Sequence, residues 1–347
     1  MTKSKVLAII GAVALMIISV FTAINISNNA KRVTQSTYVM NTVVEQKVYG
    51  KNADKAISEV QAALRAFEDE LSLYIENSDI ARINAAAGTQ LVDVKPATYN
   101  LLQQAKELSL ASDGSFALTI APLTLAWGIT SDNPRIVPDD EIKKLLPLVN
   151  DDDLTLKDGK AGLAKKEQAI DLGGIAKGTA CTLVKEIYAK NNIKSALVSL
   201  GGSSIYALGT KPDGSEYVVG FRNPKKDANS SIAAFTIKDE VLATSGGYER
   251  FFEEKGVRYH HILDPKTGEP AKSDIVSVGI IDKDGTTADF MSTTLFVQGL
   301  DKTLEYMKNG GKVICLDEND NLYVSRALES SFELVEGMET QYKVIFI

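Results

Sequence analysis

Three short runs bring together residue types that could do chemistry. In Asp171-Leu-Gly-Gly-Ile-Ala-Lys-Gly178 a strand-like run turns on paired glycines and feeds an amphipathic helical segment. N–H groups at a helix start lack intrahelical acceptors and carry the positive end of the helix dipole, and glycines let an anion approach them. Lys177 adds a mobile positive charge. Such a junction reads as a phosphate site, and equally as a way to pack a helix tightly on a sheet. In Ala288-Asp-Phe-Met-Ser-Thr293, Asp289 and Thr293 are four apart on a predicted helix, so their oxygens share a face. A carboxylate, a hydroxyl and a backbone carbonyl form an oxygen-rich half site for a hard cation such as Mg2+. The alternative is an Asp N-cap with Thr293 turned against its own helix. In Tyr259-His-His-Ile-Leu-Asp-Pro-Lys-Thr-Gly268, a strand entering a turn sends His260 and His261 to opposite faces, so one of the two can enter a cleft. A lone inward histidine also serves as an ordinary core residue.

The elements that must position these runs follow from periodicity. Ile57, Val60, Leu64, Phe67 and Leu71 repeat at three-and-four spacing, which predicts a helix over 53–73 with one buried stripe. A second helix is expected over 97–111. A third opens on the acidic Asp139, Asp140 and Glu141 and ends at Pro147. The Gly, Pro, Asp and Asn content of 128–138 predicts a long loop. The helix after the paired glycines spans 175–190, with Ala176, Thr179, Ala180, Leu183, Val184 and Ile187 as its apolar side. Strand-like runs fill 195–281, broken by turns at Gly201-Gly202, Lys211-Pro-Asp-Gly214, Arg222-Asn-Pro224 and Asp264-Pro-Lys-Thr-Gly268. Strands gathered in the second half without helices between them predict an α+β body rather than a doubly wound parallel sheet.

At 347 residues and 44% hydrophobic, the chain can bury one large core or two smaller ones. A net charge of -7 excludes a nucleic-acid groove, which needs clustered Lys and Arg. Cys181 and Cys315 lie in apolar runs and read as core thiols, and two histidines without a CxxC pair leave no zinc site. Residues 6–24 carry no charge and follow Lys3 and Lys5; as a helix they reach about 29 Å, enough to cross a bilayer. We therefore expect residues 1–32 to be a membrane anchor or signal segment and 33–347 the body, with the N-terminus in the cytoplasm and the body held outside the cell membrane.

Joined by Ser199-Leu-Gly-Gly202 and Ala243-Thr-Ser-Gly246, the three runs occur in an order that resembles the ApbE-like FAD:protein FMN transferases. Weaker matches are Met40-Asn-Thr42, Leu71-Ser-Leu-Tyr74, Pro122-Leu123 and Trp127-Gly128, so the likeness covers about residues 38–310. The resemblance implies two closely packed mixed α/β subdomains with FAD in the cleft between them and Mg2+ across its diphosphate. The implied metal ligands are the Ala176 carbonyl, Asp289 and Thr293, with the Ser292 hydroxyl a neighbour. Implied FAD contacts are Met40, Tyr74, Phe116, Ala117, Leu118, Gly173, Thr179, Ser245, Gly246 and Ile262. His261 falls on the family's functional histidine. The implied reaction cleaves FAD, passes FMN to a threonine hydroxyl of an acceptor flavoprotein and releases AMP. Water in place of threonine would make the chain an FAD diphosphatase, and a chain that held FAD unchanged would be a binding protein. Ala117 and Leu118 depart from the family's Asp and Pro, and Asn41 replaces its glycine.

Overall fold

The computed structural model describes residues 31–225 and 230–347. The apolar run at 6–24 lies outside them, and among the described residues no helix is long and apolar enough to cross a membrane.

A nine-stranded sheet organises the molecule. In spatial order its strands are β1 (Arg32–Val39), β2 (Thr42–Tyr49), β6 (Ser195–Leu200), β7 (Ser204–Leu208), β10 (Glu240–Gly246), β13 (Ile275–Asp282), β14 (Val313–Asp317), β15 (Asn321–Val324) and β17 (Lys343–Phe346). Every pairing is antiparallel except β15 with β17. Alternation along the strands gives the sheet two apolar faces. Four helices cover one face: α1 (Ala53–Leu71), α6 (Ala176–Lys190), α7 (Gly285–Gln298) and α8 (Leu300–Lys308). The other face packs on a three-stranded sheet of β8 (Tyr217–Arg222), β9 (Ser231–Ile237) and β16 (Phe332–Leu334), through Phe221, Phe235, Leu242 and Ile314. The architecture is mixed α+β, with strands filling the second half as the pattern predicts.

Two further cores flank this stack. In one, α2 (Asp79–Ala85) and α3 (Pro96–Leu110) pack with a small sheet of β3 (Val92–Asp93), β4 (Leu154–Lys157) and β5 (Lys160–Leu163), reaching Phe290 of α7. In the other, α4 (Ala121–Trp127) and α5 (Asp139–Leu145) pack against Leu263 and the hairpin of β11 (Phe251–Glu254) and β12 (Val257–His260).

Most element predictions hold within two residues. Ile57, Val60 and Leu64 of α1 are buried, and the helix stops at Leu71 because Ser72 is extended. Pro96 occupies the first turn of α3, where its missing N–H costs no hydrogen bond. Residues 128–138 carry no regular element. The face of α6 is a correction. Its buried residues are Gly178, Ala180, Cys181, Val184 and Tyr188, while Thr179, Leu183 and Ile187 are only half-buried. The helix is rotated because α7 crosses it at Gly178 and Gly285, where a Cβ on either glycine would strike the other's carbonyl oxygen. Cys181 and Cys315 are buried free thiols, as expected of core residues.

Candidate active site

A cleft of about 560 Å³ opens where the ends of these elements meet. Its wall is formed by the β1–β2 turn (Met40 to Thr42), the end of α1 and the loop after it (Phe67, Leu71, Tyr74), Phe116 and Ala117, the run from Asp171 to Lys177, the end of β10, Arg250, His261 to Leu263, and Asp289 and Thr293 of α7. Residues remote in sequence meet here because β10 and α7 are neighbours through β13, and α6 lies against α7.

Asp289 sits mid-helix, since the cap of α7 is Asp284. Its buried carboxylate accepts the Gly178 N–H at 2.8 Å. Burial pushes its pKa up, opposed by the Lys177 charge and the N–H groups of Gly178 and Lys177. Of the two readings of this junction, a phosphate site or tight helix packing, the start of α6 shows packing: its Gly178 N–H serves the protein's own carboxylate. The other N–H groups there are also used, Ala176 and Ile175 donating to Leu172 O and Thr179 to Ile175 O. Thr293 Oγ1 lies 3.3 Å from Ser245 Oγ, which shares a 2.8 Å hydrogen bond with Ser292. Ser292 also donates to the Asp289 carbonyl at 2.9 Å and is fully buried, so it does not reach the cleft.

Among the described residues no three His, Cys, Asp or Glu side chains gather where they could hold a metal. Asp289, the Thr293 hydroxyl and the Ala176 backbone carbonyl, all lining the cleft, offer oxygen donors. That set suits a small hard cation that keeps water and substrate oxygens in its shell. A carboxylate that burial disfavours as an anion is also the group a cation would relieve.

His261 continues from β12. Its N–H donates to Arg250 O at 3.0 Å, and its Nδ1 lies 3.2 Å from the same carbonyl. A carbonyl only accepts, so Nδ1 carries the proton and Nε2 keeps its lone pair. Enclosure, then the charges of Lys177 and Arg250, push its pKa down to about 3, so the imidazole is neutral at ordinary pH. His260 points the other way, its Nε2 3.1 Å from Ala271 O and its ring edge-on to Phe296. The segment is braced by Trp127, whose Nε1 donates to Gly268 O at 2.8 Å and whose ring stacks on Tyr259, which stacks on Phe252.

The structure brings Met40, Tyr74, Phe116, Ala117, Gly173, Ala176, Ser245, Gly246, His261, Ile262, Asp289 and Thr293 to the cleft. Leu118 and Thr179 do not line the cleft. Leu118 is fully buried in the core behind the wall. Thr179 Oγ1 donates to Ile175 O at 2.9 Å and meets Thr286 Oγ1 at 3.0 Å.

Three residues were not singled out from sequence as site residues. Asp171, which opens the glycine run, faces the cleft and accepts the Gly173 N–H at 2.8 Å. Burial raises its pKa. Asp151, buried 32 residues beyond the segment it serves, accepts from Leu118 N (2.7 Å), Thr119 N (2.8 Å) and the Ser109 and Thr119 hydroxyls, pinning the backbone that carries Phe116 and Ala117. Arg250 puts an exposed guanidinium on the cleft wall. Only Asp171 had a local signal.

Residues 40–316 match the model of the ApbE family. The chain is 32% identical over 269 residues to an FAD:protein FMN transferase of Klebsiella pneumoniae (strain 342), covering 77% of this chain and 83% of that one. To an FAD:protein FMN transferase of Treponema pallidum (strain Nichols) it is 33% identical over 294 residues, covering 79% and 81%. The crystal structure of the ApbE protein from Thermotoga maritima MSB8 superposes with a TM-score of 0.80 at 30% identity, over 87% of this chain and 99% of that one.

Proposed function

Since the chain belongs to the ApbE family, we propose that it is an Mg2+-dependent FAD:protein FMN transferase that moves FMN from FAD to a threonine hydroxyl of an acceptor flavoprotein and releases AMP. The observation that carries this reading is the convergence on one cleft of Asp289, Thr293 and Ala176 with Lys177 and a neutral His261. Bound Mg2+ would neutralise charge on the diphosphate oxygens.

In this reading the chain's own residues do the rest. Asp289, Thr293 and the Ala176 carbonyl hold the cation, and Lys177 adds positive charge beside it. Tyr74, Phe116 and Ile262 give the apolar surface that a flat heterocycle needs. The threonine oxygen bonds to the FMN phosphorus as the phosphoanhydride bond to AMP breaks, and AMP leaves with that electron pair. The threonine proton passes to Nε2 of His261, which the Arg250 carbonyl holds in the accepting tautomer. General-base help reaches about 10²- to 10⁴-fold when the base's pKa lies near the working pH, and a pKa of about 3 leaves His261 the smaller end of that gain. Positioning of the hydroxyl in line with phosphorus contributes the larger part of such a reaction.

The test mixes the body from about residue 33 with FAD, Mg2+ and an acceptor flavoprotein and measures the intact mass of the acceptor. A gain of one FMN, lost without Mg2+ and lost in Asp289→Asn, is the expected result. FMN and AMP released with no mass gain would replace the transferase with a diphosphatase, and FAD bound but unchanged would leave a binding protein. We also propose that residues 6–24 anchor the chain with its body outside the cell membrane, supported by their unbroken apolar character. Release of the full chain by an alkaline wash of membranes would remove that anchor.

A further inference from the structure

Arg250 is an exposed cation on the cleft wall, yet no carboxylate of the described residues pairs with it. Glu249, the nearest in sequence, is held by Arg222 at 2.7 Å. The guanidinium makes one long hydrogen bond, Nη2 to Asn41 O at 3.3 Å, across to the β1–β2 turn. A guanidinium has five N–H donors in a planar fork, so most of its bonding capacity is unused toward the protein. Its place in the cleft is fixed by pairing with the histidine strand, because His261 N and Nδ1 both lie against Arg250 O. Arg250 and Lys177 line the same cleft as His261, and the charge of each reaches the His261 ring. Two cations without a carboxylate partner among the described residues, lining one cleft in a chain of net charge -7, form a site for an anion more strongly charged than a single carboxylate.

We propose that Arg250 is a phosphate-contacting residue of the transferase: its fork leaves the Asn41 carbonyl and takes diphosphate oxygens of FAD, with Lys177 as the second cation of the cleft. The inference rests on the transferase reading and adds to it a residue for which the Asn41 contact is only the resting position. Arg matches phosphate oxygens with two parallel N–H donors, which Lys cannot reproduce. The bond that breaks in the reaction leaves negative charge on the departing phosphate, and a guanidinium donor pair brought onto it stabilises it.

The test compares full-length wild type, Arg250→Gln and Arg250→Lys, each with Mg2+, for binding of FAD, ADP and riboflavin by calorimetry. A lost charge-assisted hydrogen-bond pair predicts that Arg250→Gln weakens FAD and ADP about 10- to 100-fold and leaves riboflavin unchanged, with Arg250→Lys in between. Equal weakening of all three ligands would mean that Arg250 only clamps the Asn41 turn, and would overturn the proposal. So would unchanged binding of all three. A wild type that binds neither FAD nor ADP would sink the transferase reading itself, a result separable from the other two because it shows before any substitution.

Discussion

Replacing Gly178 with alanine should both loosen the molecule and disarm the cleft. A Cβ at Gly178 would lie 2.6 Å from Asp289 Cβ and closer still to Gly285 O, neither of which can swing aside. Ordinary contact needs about 3.4 Å or more, so α6 and α7 must separate by about 1 Å, at an overpacking cost of about 1–3 kcal/mol. The same shift stretches the 2.8 Å bond from Gly178 N–H to Asp289. At nearly 4 Å that bond is lost, which adds about 1.5–3 kcal/mol because the acceptor is charged and buried. The two terms sum to about 2.5–6 kcal/mol, and at an unfolding entropy of about 2.1 cal/mol/K per residue that is a fall in Tm of about 3–8 °C for a chain of this size. Displacing the carboxylate proposed to hold the cation by about 1 Å should lower the rate by about 10²-fold. The assay is a thermal melt followed by FMN transfer at a temperature where the variant is folded. Gly285→Ala should behave alike, and the double variant should cost less than the sum, because the two share one contact. A Gly178→Ala protein with unaltered Tm and rate would refute the helix contact as the device that places Asp289.

The depressed pKa of His261 makes a pH prediction. Its folded value lies below its unfolded value, so the unfolded chain binds the extra proton between about pH 3 and pH 6.5; this contribution to stability is full above that window and is lost as pH falls through it. kcat/KM for FAD should accordingly show no acidic limb from His261 between pH 5 and 8, by about the criterion of a bell-shaped profile. Lys177→Gln, by removing a positive neighbour, should move such a limb upward, and a profile that stays put would contradict the electrostatic account. Asp151→Asn faces an amide with the N–H groups of Leu118 and Thr119, and should lower stability by about 2–4 kcal/mol and raise KM for FAD more than it changes kcat. A thermal melt and an FAD titration check both; an unchanged melt would mean that the carboxylate is not what pins the Phe116 segment.

Local features were legible in the chain. The stripe of α1, the strand alternation that separates His260 from His261, and the shared face of Asp289 and Thr293 all follow from periods of 3.6 or 2. Whatever depended on a partner remote in sequence was not. The buried face of α6 is set by a glycine of α7, and the donor groups at its start are taken by a carboxylate 111 residues away. Leu118 lies in the core rather than on the wall because Asp151 holds its backbone, and Thr179 turns to Thr286. Arg250 carries no local mark, since the role proposed for it rests on the lack of a carboxylate partner among the described residues. Motif order located the cleft, while tertiary contact decided which residues of each motif face it.

The brace behind His261 also gives this chain a built-in optical reporter. Trp127 is its only tryptophan, nearly free of solvent, stacked on Tyr259 and hydrogen-bonded to Gly268 in the very segment that bears the histidine. All indole emission therefore originates at one place beside the cleft, where a yellow chromophore would arrive and absorb it. Loading and emptying of the pocket can thus be followed by eye of a fluorimeter on the unlabelled protein, without a coupled assay and without knowing the acceptor.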